Sequence, residues 1–181
     1  MSQYLFAPAL ESFPRDVALQ RWSAADGDRD EYFMRMALAE ATVAAEEGEI
    51  PIGAVLTCRD RVLARDHNRR EQLRDPIAHA ETLVLRRAAI FYPSWRVEEA
   101  TLYVTLEPCL MCCGAILQSR VDRLVFGARD PKGGAAVSLY ETLSDQRFNW
   151  RAEICEGVLQ KECSAALVEF FRARRLRKSK T

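Results

Sequence analysis

Residues 101–106 form a β-rich run, residues 108–118 follow with helical character behind Pro108, and residues 123–126 form a second apolar run. A strand–helix–strand segment of this length brings its two strands into parallel pairing through a right-handed crossover. Parallel strands are buried on both faces, so the chain must supply helices to each side of the sheet. It has them. Asp30 opens an amphipathic helix with Phe33, Met36, Ala37 and Ala44 on one side, ending at Gly48. Residues 50–57 read as a buried strand with Pro51 and Gly53 at its start, and Arg59-Asp60 turns the chain into a return strand over 62–65. Asp75-Pro76 signals a helix start, with the helix running from His79 to about residue 90 before Pro93 stops it. A short strand over 151–153 and a long helix over 161–177 complete the chain. The predicted class is α/β: a three-layer α/β/α sandwich with a mixed central sheet of about five strands, a β-hairpin followed by parallel βαβ units.

At 181 residues, 49% hydrophobic and 29% charged, the chain fits one domain with a short extension and is too apolar for wholesale disorder. The boundaries read as an N-terminal extension over 1–29, poorly ordered or docked, a domain over 30–178 and a tail over 179–181. No apolar run approaches the length of a membrane span, and the first ten residues lack the basic start of a secretory signal. The expected compartment is therefore the cytoplasm, where six cysteines are ligands or core residues before they are disulfides. Twenty-six basic residues balance twenty-six acidic ones, yet Arg172, Arg174, Arg175, Arg177, Lys178 and Lys180 crowd the last ten positions without an acid. A basic end on an otherwise acidic body suits a polyanion; it is also an ordinary solvated helix terminus.

The chemistry lies in two short segments, His79-Ala80-Glu81 and Pro108-Cys109-Leu110-Met111-Cys112. Either is weak alone. Together, each at a predicted helix start with a strand between, they form a metal pattern. Cys109 and Cys112 share a helix face, and the amides of a helix N-terminus favour thiolates. Two sulfurs and one imidazole leave a zinc coordination position open, which is the catalytic arrangement rather than the structural one. His79 and Glu81 would point apart in mid-helix and can meet in one pocket only within the first turn; Glu81 can then move protons. A closed Cys₃His cage using Cys113 and a redox C-x-x-C are the competing readings. Cys58, Cys155 and Cys163 read as buried apolar fillers.

With these residues, the sequence resembles the bacterial tRNA-specific adenosine deaminases of the cytidine-deaminase-like superfamily. The likeness runs over 30–178 and includes Pro51-Ile52-Gly53-Ala54-Val55, Asn68-Arg69, Asp75 to Glu81, Leu102 to Cys109, Ser119-Arg120, Gly127 to Ala135 and Phe170-Phe171-Arg172. The resemblance implies hydrolytic deamination of the wobble adenosine, position 34, to inosine in the anticodon loop of a tRNA, the arginine tRNA in particular. It also implies a homodimer with one Zn²⁺ per subunit. By motif match it makes His79, Cys109 and Cys112 the ligands and Glu81 the proton shuttle. Asn68 would bond the flipped base, Ile52 and Leu106 would wall the pocket with Ala80 also at the substrate, and Asp130, Lys132, Phe171 and Arg172 would lie near the RNA. Anticodon-loop bases are already unstacked, so extruding one costs little. Cys113, where a small residue is common, and Trp150, where a histidine is usual, depart from the family pattern, and residues 1–29 have no counterpart in it. A small-molecule deaminase acting on guanine, cytosine or a nucleotide shares the zinc chemistry, but does not need the 127–135 loop or the 170–177 helix. A zinc-stabilised RNA-binding module would not need Glu81.

Overall fold

The computed structural model describes residues 21–92 and 94–178, with side chains to 176; residues 1–20 of the expected 1–29 extension and the tail over 179–181 lie outside the described residues. α1 spans Arg29–Glu46 and is capped by Asp28, whose carboxylate accepts the Glu31 amide at 2.9 Å. Its buried stripe is Phe33, Met34, Ala37, Ala41 and Ala44, and Gly48 leaves the helix at φ 84°. The hairpin follows: β1, Gly53–Cys58, pairs antiparallel with β2, Arg61–His67, through Arg59 and Asp60, both left-handed. A single turn, α2 (Arg70–Leu73), leads into α3, Ala80–Ala88. β3 (Ala100–Leu106), α4 (Leu110–Ser119) and β4 (Arg123–Ala128) form the parallel crossover. β5, Glu153–Glu156, adds a parallel edge and α5, Gln160–Lys178, closes the described chain.

The sheet order is β2-β1-β3-β4-β5, mixed and five-stranded as expected. Its two faces bury separate cores. Ala54, Leu56, Val84, Leu102, Val104, Ile116, Leu124 and Phe126 join α3 and α4 to one face. Phe33, Met34, Val55, Tyr103, Val125 and Cys163 join α1 and α5 to the other. Asp30 ties the second layer to the sheet: it takes both Arg123 guanidinium nitrogens at 2.8 Å and the Tyr103 hydroxyl at 2.9 Å. Gly53 permits the closest approach between layers, because a Cβ there would lie 2.0 Å from the Ala37 carbonyl oxygen.

Several boundaries differ from the sequence reading: α1 is capped by Asp28 rather than opened by Asp30, β2 extends beyond the expected 62–65, and α3 stops at Ala88 rather than near residue 90. β1 starts at Gly53 rather than residue 50, since Pro51 offers no N–H to a ladder and the Ile52 amide instead turns back to the Ile50 carbonyl at 2.7 Å. β5 overlaps the expected 151–153 only at Glu153 and runs on to Glu156, because its register is set by pairing Arg123 with Glu153 and not by a local pattern. Of the cysteines read as fillers, Cys163 is buried, whereas Cys58 and Cys155 are only partly so. Residues 21–28 are docked: Arg21 bridges to Arg61, and the Trp22 amide reaches the Asp60 carbonyl at 3.0 Å.

Candidate active site

The N-terminal end of β1 and the C-terminal ends of β2, β3 and β4 meet at one edge of the sheet, with Gly53 opposite His67, and Leu106 opposite Ala128. Ligand sites in α/β folds gather at the carboxyl ends of strands, and here both motif helices begin there. His79 caps α3 and Cys109 caps α4, each with extended backbone (ψ 152° and 173°). That conformation frees both side chains from the helix faces and lets them converge. His79 Nδ1 lies 3.7 Å from Cys109 Sγ and 3.5 Å from Cys112 Sγ. A tetrahedral zinc with bonds of about 2.0 Å to nitrogen and 2.3 Å to sulfur requires a separation near 3.5 Å, so these donors fit the ion. The Cys112 thiol, the adjacent imidazole and the Cys112 amide lower the Cys109 thiol to about 3, while its thiolate neighbour and burial hold Cys112 up. Hydrogen bonding to Cys109 raises His79 above its ordinary value. Both sulfurs bind metal as thiolates, so a bound cation would displace the thiol protons that remain.

Glu81, in the first turn of α3, is 4% exposed and sits against the Cys112 thiol. Burial pushes its carboxyl up. Cys113 is fully buried and turned away, its thiol directed to the Pro108 carbonyl at 3.6 Å, so the donor cluster is His79, Cys109 and Cys112. The closed Cys₃His arrangement is absent among the described residues. A second acidic cluster, Glu40, Asp66 and His67, already has cations: Arg69 and Arg87 each reach Asp66 at 2.7 Å, and Arg65 reaches Glu40 at 3.3 Å.

Ile52, Ala80 and Leu106 lie around this edge; Asn68 is buried, and its amide bonds the Ile52 carbonyl at 2.9 Å. The Arg69 backbone amide donates to the Ala78 carbonyl at 3.0 Å, which links Asn68 to the turn that carries His79. Asp130 and Lys132 stand on the loop after β4, joined by an Asp130 carboxylate bond to the Lys132 amide at 2.9 Å. That loop reaches the metal motif through the Cys109–Gly134 bridge. Phe171 and Arg172 are exposed on α5, and the structure does not bring them into the donor cluster. Trp150 packs at the far end of α4, its indole donating to the Val121 carbonyl at 2.9 Å beside the Arg120 guanidinium.

A MafB19-like deaminase family profile matches residues 28–175. A protein of Bacillus subtilis (strain 168) named tRNA-specific adenosine deaminase is 51% identical over 150 residues, which cover 83% of this chain and 93% of that protein. The chain belongs to the tRNA-specific adenosine deaminase family. A relative of the same name from Haemophilus influenzae is 48% identical over 81% of this chain and 85% of its own. Among solved structures, a chain from a study of A-to-I editing by tRNA:A34 deaminases superposes with a TM-score of 0.72 at 44% identity, covering 75% of this chain and 99% of that one. A guanine deaminase from Nitrosomonas europaea, with a TM-score of 0.65 at 23% identity, shares the fold.

Two residues of this deaminase site escaped the sequence reading. Glu49, 1% exposed, accepts the Asn68 side-chain amide at 2.9 Å and the Gln72 backbone amide at 2.8 Å. A carboxylate can only accept, so it fixes which way the Asn68 amide faces. Glu107, 2% exposed, accepts from the loop after β4. The one available signal was an acid beside an apolar run, which in a loop is ordinary.

Proposed function

We propose that this deaminase hydrolyses the wobble adenosine, position 34, of a tRNA anticodon loop to inosine, with an arginine tRNA as the substrate. The observation that carries the reading is the convergence of His79, Cys109 and Cys112 donors beside buried Glu81, in a chain so similar to proteins named for this activity. His79, Cys109 and Cys112 would hold one zinc ion per subunit. When bound, zinc supplies Lewis-acid activation of water near neutral pH.

The chain's own residues do the rest. Glu81 takes one proton from the water as its oxygen bonds to C6 and passes it to the purine N1; it then takes the second proton from the new C6 hydroxyl and passes it to the amine as the C6–N bond breaks, so that water and adenosine become inosine and ammonia. Asn68, its orientation fixed by Glu49, hydrogen-bonds the flipped base; Ile52, Ala80 and Leu106 line the pocket. Asp130, Lys132, Phe171 and Arg172 meet the RNA around it. The protein works as a cytoplasmic homodimer. Exposed Leu110, Tyr140 and Phe148, which border a common cavity of about 560 Å³, support a buried partner face. No helix among the described residues is long and apolar enough to cross a membrane.

The deciding experiment incubates the purified protein with an arginine-tRNA anticodon stem-loop, free adenosine, cytidine and guanine. Inosine in the RNA is the expected result. Ammonia from cytidine or guanine without it would favour the small-molecule reading, and metal binding without any turnover would favour an RNA-binding module.

Two further outcomes follow from these roles. Glu49→Ala strips the buried Asn68 side-chain amide of its acceptor, a loss of about 1–3 kcal/mol when uncompensated, and also removes the acceptor of the part-buried Gln72 backbone amide. Its kcat/KM on the stem-loop is expected to fall about tenfold with zinc content unchanged; kinetics paired with elemental analysis read both. Ending the chain after Phe171 removes the basic cluster. Stem-loop affinity should weaken and its log–log salt slope flatten by up to about 4, at roughly 0.7 per lost phosphate contact. Titrations at several salt concentrations check this, and an unchanged affinity would return the tail to a solvated helix end.

A further inference from the structure

We propose that Glu107 is a positioning residue that holds the 130–138 loop against the Cys109 turn, so that the RNA-facing surface and the metal centre share one buried anchor. The proposal rests on the reading of that loop as RNA-facing. Glu107 follows the last residue of β3 and lies two residues before Cys109. It is 2% exposed, and its carboxylate accepts hydrogen bonds from the loop. One oxygen accepts the Val137 and Ser138 amides at 2.9 and 2.8 Å. The other accepts the Asp130 amide at 3.0 Å and the Ser138 hydroxyl. Four donors on two oxygens saturate a carboxylate, and only an ionised carboxylate can accept all four.

The rest of the loop is fitted to the same group. A Cβ on Gly134 would lie between 2.3 and 2.6 Å from the Glu107 carboxyl atoms, so the loop backbone passes where any other residue would collide. Main-chain bonds close the assembly: the Glu107 amide to Ala128, and the Ala135 amide to Pro108, both at 2.8 Å. Gly134 bridges to Cys109 itself. Loops normally move relative to the elements they join. This one is fastened at both ends and in the middle to residues 107–109, which places Asp130 and Lys132 at a set distance from Cys109.

The test uses the full-length zinc-loaded enzyme and three variants. Glu107→Gln faces two of the four donors with an NH₂ group. Gly134→Ala keeps the carboxylate but displaces the loop. Lys132→Ala probes the surface alone. Zinc content, direct binding of the anticodon stem-loop, and kcat and KM are measured for each. Both Glu107→Gln and Gly134→Ala are expected to bind the stem-loop about tenfold more weakly, with KM rising more than kcat falls and zinc retained. A merely structural role would lower the folded fraction and kcat together without moving KM. If Glu107→Gln fails to fold, Gly134→Ala decides. Loss of affinity in Lys132→Ala with none in Gly134→Ala would overturn the positioning role alone. Unchanged affinity in Lys132→Ala would refute the RNA-facing premise and the proposal with it.

Discussion

Glu81→Ala is expected to retain about one zinc per chain while stem-loop deamination falls by about 10³-fold, within the 10²–10⁴ range of a general acid–base group. The geometry separates the two readouts. The donor cluster consists of His79, Cys109 and Cys112 and does not use Glu81, so the coordinating atoms survive its removal. What disappears is the buried carboxylate against the Cys112 thiol, the group proposed to carry protons between water and purine. Glu81→Gln keeps the volume and removes the basicity, and it should be as inactive as the alanine variant. Elemental analysis beside single-turnover inosine formation gives the answer. Loss of the metal from both variants would mean that Glu81 is a ligand and that the role assigned to it is wrong.

Cys109→Ala is expected to abolish both metal retention and turnover. Replacing even an outer partner of a ligand typically costs about 10–100-fold in metal affinity, and removal of a donor from a three-donor site costs more. Cys109 is also the thiol that the Cys112 thiol and the adjacent imidazole push down, so its loss removes the donor best disposed to meet a cation as thiolate. The zinc-loaded parent should lose thermal stability on chelation, because a ligand bound only by the folded state adds RT ln(1 + [L]/Kd). The variant should melt at the same temperature with and without chelator. Cys113→Ala, by contrast, should keep its zinc, since that sulfur faces the Pro108 carbonyl and the core. A variant of Cys109 that held a full metal complement, or a variant of Cys113 that lost it, would reverse the ligand assignment.

Local signals carry a long way in this chain. Asp28, Asp30 and Glu31 begin α1 because carboxylates satisfy free amides and the helix dipole, and both effects act within one turn. The metal motif was legible for the same reason: His79 and Cys109 occupy cap positions, where backbone geometry frees a side chain to project beyond the helix. The crossover from β3 to β4 follows from spacing and chirality alone. The strand over 50–57 was less legible, since its first residues are apolar yet Pro51 bars them from the ladder.

By itself, then, the sequence indicated most of the elements, their layering and the three side chains that the fold gathers into one donor cluster, because helix caps, hydrophobic periods and short crossovers are governed by neighbours along the chain. Tertiary structure alone decided what the buried acids do. Glu49 meets Asn68 across nineteen positions, and Glu107 meets Ser138 across thirty-one. An isolated carboxylate has no periodic partner, and its burial is tolerated only when folding delivers enough donors from distant segments to replace water. Those donors are assembled by sheet register and by loop closure around Gly134, neither of which leaves a trace in the residues next to the acid.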